Sequence, residues 1–309
     1  MNILLLGRFG QVGWELERSL SCLGEVTALG REDADLTNED QIRAVVRSLR
    51  PSVVINAAAY TAVDQAELEP DLAFRVNAHA PGVLAEEVAR LNGWLVHYST
   101  DYAFDGTKPK PYDEQDRADP LSAYGRSKLA GEEAIRAAGA KFLIFRCSWI
   151  YASRRTNFAL SILKQAIDGG ELRVINDCFG SPTAAPLVAD VTAHALRCIL
   201  KDTDRTDLSG VYHLAASGVT NWFEYASFLI ERAKDLGIPA NPSQISAITE
   251  REFAALARRP LNSRFDTTKV RKAFGIDLPN WQCGVERFLH DVASALMLFP
   301  SIRELEKKQ

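Results

Sequence analysis

The chain opens with ILLLGRFGQVG at residues 3–13, an apolar run that leads into a glycine-rich turn. A buried strand that ends in such a turn and starts a helix is typical of a pyrophosphate-binding loop. Glycine lets the backbone turn tightly and approach phosphates without a Cβ in the way. The first N–H groups of the helix supply hydrogen-bond donors and positive dipole. The spacing G-x-x-G-x-x-G also suits a plain turn, but its place directly after four apolar residues favours a dinucleotide-binding loop.

Strands and helices alternate through the first half of the chain. The pattern predicts strands at residues 2–6, 25–29, 52–56, 94–99 and 141–147. It predicts helices at residues 11–21, from a Thr37–Asp40 capping box to 49, at 70–92 and at 122–138. This β-α-β alternation predicts an α/β fold with a doubly wound, Rossmann-type parallel sheet, whose ligands lie beyond the carboxyl ends of its strands.

The alternation loosens in the second half of the chain. There the pattern predicts helices at residues 157–167, 187–200, 222–236 and 284–298, and short strands at 172–175, 211–214 and 245–248. A length of 309 residues suffices for a large domain and a smaller one. We therefore expect a dinucleotide-binding domain over residues 1–150 and a mainly substrate-binding α/β lobe over 151–309, with segments near 187–215 returning to the large sheet.

The composition restricts the partners and the compartment. A net charge of -4 gives no broad attraction to nucleic acid or to an anionic membrane, so neither is expected as a partner. No stretch approaches a membrane span, and the first residues resemble a strand rather than a signal peptide. The five cysteines are scattered and include no C-x-x-C pair. This predicts reduced thiols and a cytoplasmic location.

Tyr124 and Lys128 form the pair with the clearest chemical meaning. Residues four apart on a helix share one face, and a nearby ammonium group favours the phenolate and lowers the pKa of a tyrosine. Such a phenol can donate a proton to a developing alkoxide. The alternative is an exposed surface pair, which occurs often by chance.

A second polar group lies upstream, in Tyr98-Ser99-Thr100-Asp101-Tyr102 at the end of a predicted strand. A hydroxyl at this end of a strand is well placed to hydrogen-bond a carbonyl oxygen. Strand alternation turns Ser99 and Thr100 to opposite faces, but alternation alone does not say which of them faces the ligand.

These motifs, together with NAAAYTAVD at 56–64, RCSW at 146–149, GSPT at 180–183 and RPLNS at 259–263, resemble the extended short-chain dehydrogenase/reductase superfamily. Within it the chain is similar, over nearly its whole length, to reductases of a 4-keto nucleotide sugar. The resemblance implies NADPH-dependent reduction of the C4 keto group of dTDP-4-dehydro-6-deoxy-L-mannose to dTDP-L-rhamnose.

The resemblance also assigns roles to residues. It implies that Tyr124 donates the proton, that Lys128 tunes it and holds the nicotinamide ribose, and that Thr100 orients the sugar carbonyl. The implied cofactor contacts are Gly7, Gly10, Gln11, Val12, Gly13, Gly30, Arg31, Asp35, Leu36, Ala59, Tyr60, Thr61, Tyr98, Tyr124 and Lys128. The implied substrate contacts are Thr100, Asp101, Trp149, Arg259 and Asn262.

Two departures from the family pattern bear on cofactor and metal. Gly30 stands at the end of the second strand where an acid would bind the ribose 2′-hydroxyl and repel a 2′-phosphate. With the Arg31 cation beside it, we expect NADPH as cofactor and NADH as tolerated, although Arg31 also suits a solvated surface position. Glu15 fits a magnesium ligand seen in some relatives, but Pro186 replaces a second acid, so no metal site is predicted.

Other interpretations remain open at this point. An epimerase or dehydratase of nucleotide sugars has the same fold but keeps its NAD bound through the cycle. A non-catalytic regulatory subunit ranks lower, because the chain retains Thr100, Tyr124 and Lys128. His97 is expected to be a core histidine. Arg154-Arg155 and Arg258-Arg259 suit either surface charge or a diphosphate site. The sequence does not fix thymidine against uridine, the sugar stereochemistry, or an expected homodimer.

Overall fold

A computed structural model of the chain describes residues 1–201 and 205–298. The strands of this part are β1 (Asn2–Leu6), β2 (Glu25–Leu29), β3 (Val53–Asn56), β4 (Trp94–Thr100), β5 (Lys141–Cys147), β6 (Ile150–Tyr151), β7 (Glu171–Ile175), β8 (Phe179–Gly180), β9 (Thr183–Ala184), β10 (Gly210–Leu214), β11 (Thr220–Asn221) and β12 (Gln244–Ile248). Its α-helices are α1 (Gln11–Leu20), α2 (Glu39–Leu49), α3 (Val63–Leu68), α4 (Pro70–Phe74), α5 (Ala80–Arg90), α6 (Ala123–Ala137), α7 (Phe158–Ile167), α8 (Ala185–Leu200), α9 (Trp222–Asp235), α10 (Glu250–Phe253), α11 (Thr268–Phe274) and α12 (Trp281–Leu298).

Six parallel strands form the central sheet, in the order β10-β5-β4-β3-β1-β2. β3 and β4 are buried along their whole length, which is why both sequences are largely apolar. Chain order reverses between β1 and β3, and a doubly wound sheet binds its ligands beyond the carboxyl ends at such a reversal. The predicted α/β fold with a parallel sheet is confirmed.

Helices cover both faces of this sheet. The alternation of side chains along β1 sends Ile3 and Leu5 into one core cluster, which includes residues of α1 and α8. Leu4 and Leu6 point into the opposite cluster, which includes residues of α2, α5 and α6. The end of β1 is therefore fixed from both sides, and with it the start of the glycine-rich turn.

A separate core lies in the second half of the chain, and we call it the C-terminal lobe. Its buried residues come mainly from α7, α9 and α12, with β7 of the parallel pair β7–β12. Tyr151, Tyr225 and Phe288 are among its large buried side chains. Its short strand pairs β6–β9 and β8–β11 lie close in sequence to motifs of the predicted site. Residues 299–309 of the predicted second lobe lie outside the described residues.

The element bounds differ from the predicted ones in two informative places. Thr37 and Asp40 do not form the predicted capping box: Asn38 caps α2 by accepting from the Gln41 N–H, while the Thr37 hydroxyl donates to Asp35. The predicted helix at 70–92 contains a π-helical turn, Arg75–His79. Such turns follow from side-chain packing that periodicity does not show.

Predicted strands 2–6, 25–29 and 141–147 match β1, β2 and β5 residue for residue. In the described part of the chain, no helix combines the length and apolar character that a membrane crossing requires.

Candidate active site

The glycine-rich turn packs so closely that its glycines admit no side chain. Gly7 has a left-handed backbone (φ 86°), and a Cβ there would lie 2.7 Å from the Ala58 nitrogen. A Cβ on Gly13 would lie 2.0 Å from the Gly7 carbonyl oxygen. In the described part of the chain no side chain caps α1 at Gly10. Its first N–H groups, at Gln11 and Val12, are therefore free to bind an anion, which fits a cofactor pyrophosphate.

A carboxylate from the turn after β2 folds back onto the end of that strand. Gly30 has no side chain, but Asp33 folds back so that its carboxylate accepts from the Gly30 N–H at 3.2 Å. Gly30 and Arg31 themselves present no acid, as the sequence indicated, and Asp33 comes from three positions further along the turn. The Phe9 ring lies over Gly30, where a Cβ would be 2.8 Å from it.

The other predicted adenine-side residues surround this turn. Arg31, whose side chain is 79% exposed, forms an ion pair with Asp35 at 3.5 Å. Asp35 also accepts from the Thr37 backbone N–H, and this bond lowers its pKa. Leu36 is buried in the core beside them. Arg31 is thus partly neutralised by Asp35.

The turn after β3 brings Ala59, Tyr60 and Thr61 to the same edge of the sheet. Its backbone is fixed by Asn77, which accepts from the Tyr60 N–H and donates to the Tyr60 carbonyl, both at 2.9 Å. Asn77 lies in the π-helical turn, and sequence reasoning missed it. The Tyr60 ring packs in one small cluster with Tyr124.

Tyr98, a predicted cofactor contact, has its side chain in the core and its carbonyl oxygen toward Lys128. Its ring is buried in the core, and its hydroxyl is 2.8 Å from the Thr192 hydroxyl of α8. The group that faces the site is its carbonyl oxygen, which accepts from the Lys128 ammonium at 2.6 Å. A direct contact between the Tyr98 phenol and the cofactor is not favoured, because the phenol hydroxyl is already paired with Thr192.

The structure resolves the choice between the two adjacent hydroxyls. Ser99 donates at 2.6 Å to Glu132, which forms a buried bidentate ion pair with Arg146 at 2.7 and 2.8 Å. Thr100 faces the other way: its hydroxyl donates to Asp101 at 3.2 Å and accepts from the Tyr102 N–H, and it lies near enough to the Tyr124 phenol to favour a lower pKa there. Ser122 caps α6 and so begins the helix just before Tyr124.

The direction expected for the Tyr124 pKa is wrong. Burial raises this pKa to about 12, and the Thr100 hydroxyl opposes the shift only in part. Lys128 is buried on the same helix face, but its ammonium is held by the Tyr98 carbonyl and lies 3.2 Å from His97 Nε2. Burial also lowers the Lys128 pKa, to about 8. The phenol therefore keeps its proton at neutral pH.

His97 is a core histidine, as expected, and it also contacts Lys128. Its Nδ1 lies 3.3 Å from the Asn56 side-chain amide, whose oxygen accepts from the Ala58 N–H. Asn56, His97 and Lys128 thus form one buried polar chain behind the site. Burial lowers the His97 pKa well below its ordinary value, so the ring is neutral.

Asp101 is the buried carboxylate of the site. Burial raises its pKa to about 6, while hydrogen bonds from Ser263, Thr100 and Ser148 act in the opposite direction. Ser148 follows β5, and Ser263 belongs to the RPLNS segment. Asp101 therefore brings three distant motifs together. Sequence reasoning named the RPLNS segment but not Ser263.

Trp149 lies at the carboxyl edge next to Asp101. Its backbone is left-handed (φ 47°), and its indole ring stacks on Trp222 with ring centroids 3.6 Å apart. A Cβ on Gly180 would lie 2.6 Å from that indole. The GSPT motif thus contributes the space in which Trp149 fits.

Asn262, a predicted substrate contact, is hydrogen-bonded within the protein. Its amide nitrogen donates to the Lys108 and Lys110 carbonyls, and its oxygen accepts from the backbone and side chain of Arg264. All its hydrogen-bonding capacity holds the loop at 108–110. Arg259, the other predicted contact of this segment, forms an ion pair with Asp64 at 3.0 Å.

Glu15, which fits the position of a magnesium ligand in some relatives although no metal site is predicted, lies near a basic side chain. Glu15 lies 3.7 Å from Arg18. Across residues 1–201 and 205–298, no group of three or more His, Cys, Asp or Glu side chains is arranged to hold a metal ion.

Comparisons with known proteins agree with this geometry. The sequence model of the RmlD substrate binding domain family matches residues 1–294. The dTDP-4-dehydrorhamnose reductase of Escherichia coli (strain K12) is 45% identical over 296 residues, which are 94% of this chain and 98% of that protein. A solved structure of the Bacillus anthracis dTDP-4-dehydrorhamnose reductase, in complex with NADP, has a TM-score of 0.82 at 32% identity and covers 94% of this chain and 99% of that one.

A third relative is alike in fold alone. The Thermus thermophilus UDP-glucose 4-epimerase, in complex with NAD, has a TM-score of 0.77 at 20% identity and covers 94% of this chain and 98% of that one.

Proposed function

Because the chain belongs to the RmlD substrate binding domain family, we propose that it reduces the C4 keto group of dTDP-4-dehydro-6-deoxy-L-mannose with NADPH, giving dTDP-L-rhamnose. The resemblance to the extended short-chain dehydrogenase/reductases is confirmed by this family membership. The observation that carries the mechanism is the placement of the Tyr124 phenol, at the start of α6, near the Thr100 hydroxyl at the carboxyl end of β4.

The protein's own residues orient the sugar and supply the proton. Bound NADPH supplies the hydride to sugar C4. The Tyr124 phenol would donate to the carbonyl oxygen, which favours the developing alkoxide over the ketone. The Thr100 hydroxyl, whose proton lies toward Asp101 in this structure, would add a second donor when it turns to the same oxygen. Tyr124 then transfers its proton to that oxygen. The Lys128 ammonium, held at Tyr98, supports the nicotinamide ribose.

A raised pKa suits Tyr124 for this direction of the reaction. A general acid must hold its proton before the step, and a phenol with a pKa of about 12 does so throughout the neutral range. The sugar alkoxide is the stronger base, so the proton moves to it. Regeneration of the phenol from water completes the cycle.

The variant Tyr124→Phe tests the assignment. It removes one hydroxyl and keeps the ring that packs with Tyr60, so we expect normal folding and normal NADPH binding. Turnover, followed by nicotinamide absorbance, should fall by roughly 10²- to 10⁴-fold. Tyr225→Phe, which removes a buried hydroxyl in the C-terminal lobe, serves as the matched control. Turnover of Tyr124→Phe near that of the control would remove Tyr124 from the role of proton donor.

Two rival functions have clear experimental signatures. A 4-epimerase or dehydratase would purify with a stoichiometric nicotinamide that dialysis does not remove, whereas a reductase exchanges its cofactor at each turnover. A regulatory subunit would show no hydride transfer when assayed alone. A panel of thymidine and uridine 4-keto sugars in the same assay determines which nucleotide is preferred.

We also propose a cytoplasmic location, which the free state of all five cysteines supports. The homodimer stays a prediction, which sedimentation of the purified chain would test.

A further inference from the structure

We propose that Arg154 and Arg155, in the loop between β6 and α7, complete the cofactor pyrophosphate site by closing over the glycine-rich turn. We call this pair the arginine clasp. The inference rests on the proposed function and adds to it a pair of phosphate ligands from outside the N-terminal sheet. Sequence reasoning left these residues between surface charge and a diphosphate site.

Both arginines reach the segment that begins with the glycine-rich turn. Arg155 Nε donates to the Phe9 carbonyl at 2.8 Å, directly before the residue that caps α1. The Arg154 guanidinium carbon lies 3.7 Å from the centroid of the Trp14 ring, in the first turn of α1. The loop therefore lies against the N-terminal part of α1. An anion bound at that helix end would lie near the clasp.

The clasp carries positive charge that the described protein does not balance. Within residues 1–201 and 205–298, neither arginine comes within 4.0 Å of a carboxylate. The acids nearest in sequence on α1, Glu15 and Glu17, pair with Arg18 and Arg8 instead. Arg154 Nη1 is enclosed and, among the described atoms, has no hydrogen-bond partner. Arg154 is partly buried and Arg155 is exposed, and two guanidinium groups at the positive end of a helix favour the binding of an anion there.

The loop is held in place by its own side chains. Asn157, which caps α7, also donates to the Ala152 and Arg155 carbonyls at 2.8 and 3.1 Å. Arg155 has a left-handed backbone (φ 59°), a conformation that glycine adopts more readily than arginine. The position therefore has an arginine where local geometry alone favours glycine.

The chemistry selects a phosphate ligand. A guanidinium whose Nε is bound to a carbonyl still presents its two terminal nitrogens, which match two phosphate oxygens. NADPH carries such groups at its pyrophosphate and at its 2′-phosphate, while NADH has only the pyrophosphate. A clasp on the pyrophosphate acts equally on both cofactors, because they share that group.

The test measures binding of NADPH and of NADH, by quenching of protein fluorescence, to the full chain. In Arg155→Gln and Arg154→Gln we expect each dissociation constant to rise roughly tenfold, by the same factor for both cofactors. The KM for NADPH should rise in step, and the KM for the nucleotide sugar should not. Arg173→Gln, an exposed arginine of the C-terminal lobe, is the matched control and should bind as wild type.

Two further variants separate binding from folding. Arg155→Gly fits the left-handed backbone, so its thermal stability should be retained while its affinity falls as in Arg155→Gln. Arg155→Lys keeps the positive charge but loses the paired N–H donors of the guanidinium, so it should bind both cofactors with intermediate affinity.

The outcomes distinguish the two proposals. Unchanged affinity in folded Arg154→Gln and Arg155→Gln variants overturns the clasp while leaving the reductase intact. A loss confined to NADPH also overturns it, because the ligand would then be the 2′-phosphate. A wild-type chain that binds neither cofactor refutes the proposed function itself.

Discussion

At the scale of single residues, the acid–base chemistry depends on where the Tyr124 phenol and the Lys128 amine are held. The four-residue spacing of Tyr124 and Lys128 correctly predicted that both lie on one face of α6. It did not predict the direction of the phenol pKa, because burial acts on the phenol and the amine is bound by the Tyr98 carbonyl. Spacing determines proximity along a helix, whereas a pKa depends on every element packed around the group.

Asp101 should make stability depend on pH. Its folded-state pKa of about 6 lies above its unfolded value of 3.8, so its contribution to stability is fully present below pH 3.8 and is lost as the pH rises through 6. The ionised carboxylate then costs roughly 3 kcal/mol. Asp101→Asn should therefore raise the free energy of unfolding at pH 8, by up to that amount, and change it little at pH 3.5.

Chemical denaturation at the two pH values measures the effect. Asp35→Asn is a control of opposite sign, because backbone hydrogen bonding lowers the pKa of Asp35. Equal destabilisation of Asp101→Asn at both pH values would show that the site does not raise the Asp101 pKa.

At the scale of elements, the predictable part was the alternation of buried strands and amphipathic helices. β1 and β5 matched because a strand buried on both faces is a short apolar run with clear ends. The α2 cap was missed because Thr37 and Asn38 both suit a cap and the Thr37 hydroxyl is bound to Asp35, while the π-helical turn at Arg75–His79 is not visible in the periodicity. Asn77, whose side chain is hydrogen-bonded to the Tyr60 backbone, lies in that turn. This contact near the site was therefore missed together with the turn.

The packing of α2 against α5 gives a prediction at this scale. Glu87 of α5 is 2% exposed and pairs with Arg43, Arg47 and Arg90, so its pKa is lowered to about 2, with hydrogen bonding from Arg47 as the main cause. This contribution to stability is present above the ordinary pKa of 4.5 and is lost as the pH falls through 2. Glu87→Gln should lower the free energy of unfolding at pH 7 by about 3 kcal/mol.

Its neighbour Glu86 supplies the control. Glu86 also pairs with Arg43, at 2.8 Å, but its side chain is 48% exposed. Glu86→Gln should therefore cost less than about 1 kcal/mol. Urea unfolding measures the loss of unfolding free energy in both variants. Equal losses would mean that the burial of Glu87 does not strengthen its ion pairs.

At the scale of the whole molecule, the site is assembled by contacts between segments far apart in sequence. Ser263 reaches Asp101, Arg155 reaches Phe9, and Arg259 reaches Asp64. The sequence contained these residues within motifs or basic pairs, but no local pattern indicates which residue of a motif meets which distant partner. The same limit explains why the sequence did not show that Asn262, in the middle of a recognised motif, holds the loop at 108–110.

Asp64 connects α3 with the segment that carries Arg259, and the variant Asp64→Ala tests what this connection contributes. It accepts from the Ala257 N–H at 2.9 Å and from Arg259 at 3.0 Å. Because the Asp64 side chain is 46% exposed, Asp64→Ala should cost no more than about 1 kcal/mol of global stability. Amide hydrogen exchange at residues 253–261 should nevertheless become faster, and the KM for the nucleotide sugar should rise severalfold.

Asp277→Ala is the matched control, since it breaks an ion pair with Arg271 outside the site. Unchanged exchange at 253–261 in Asp64→Ala would show that Asp64 does not order this segment.

The most direct test of the proposed reduction follows the transfer of the hydride from NADPH to C4 of the sugar. Purified chain is given dTDP-4-dehydro-6-deoxy-L-mannose and NADPH deuterated at C4 of the nicotinamide, on one face or the other in separate reactions. If the chain is the reductase, one of the two deuterated forms of NADPH transfers its deuterium to C4 of the rhamnose product. One equivalent of NADPH is oxidised for each sugar that is reduced. Product without deuterium from either cofactor, or conversion without net NADPH oxidation, would contradict the proposed reduction.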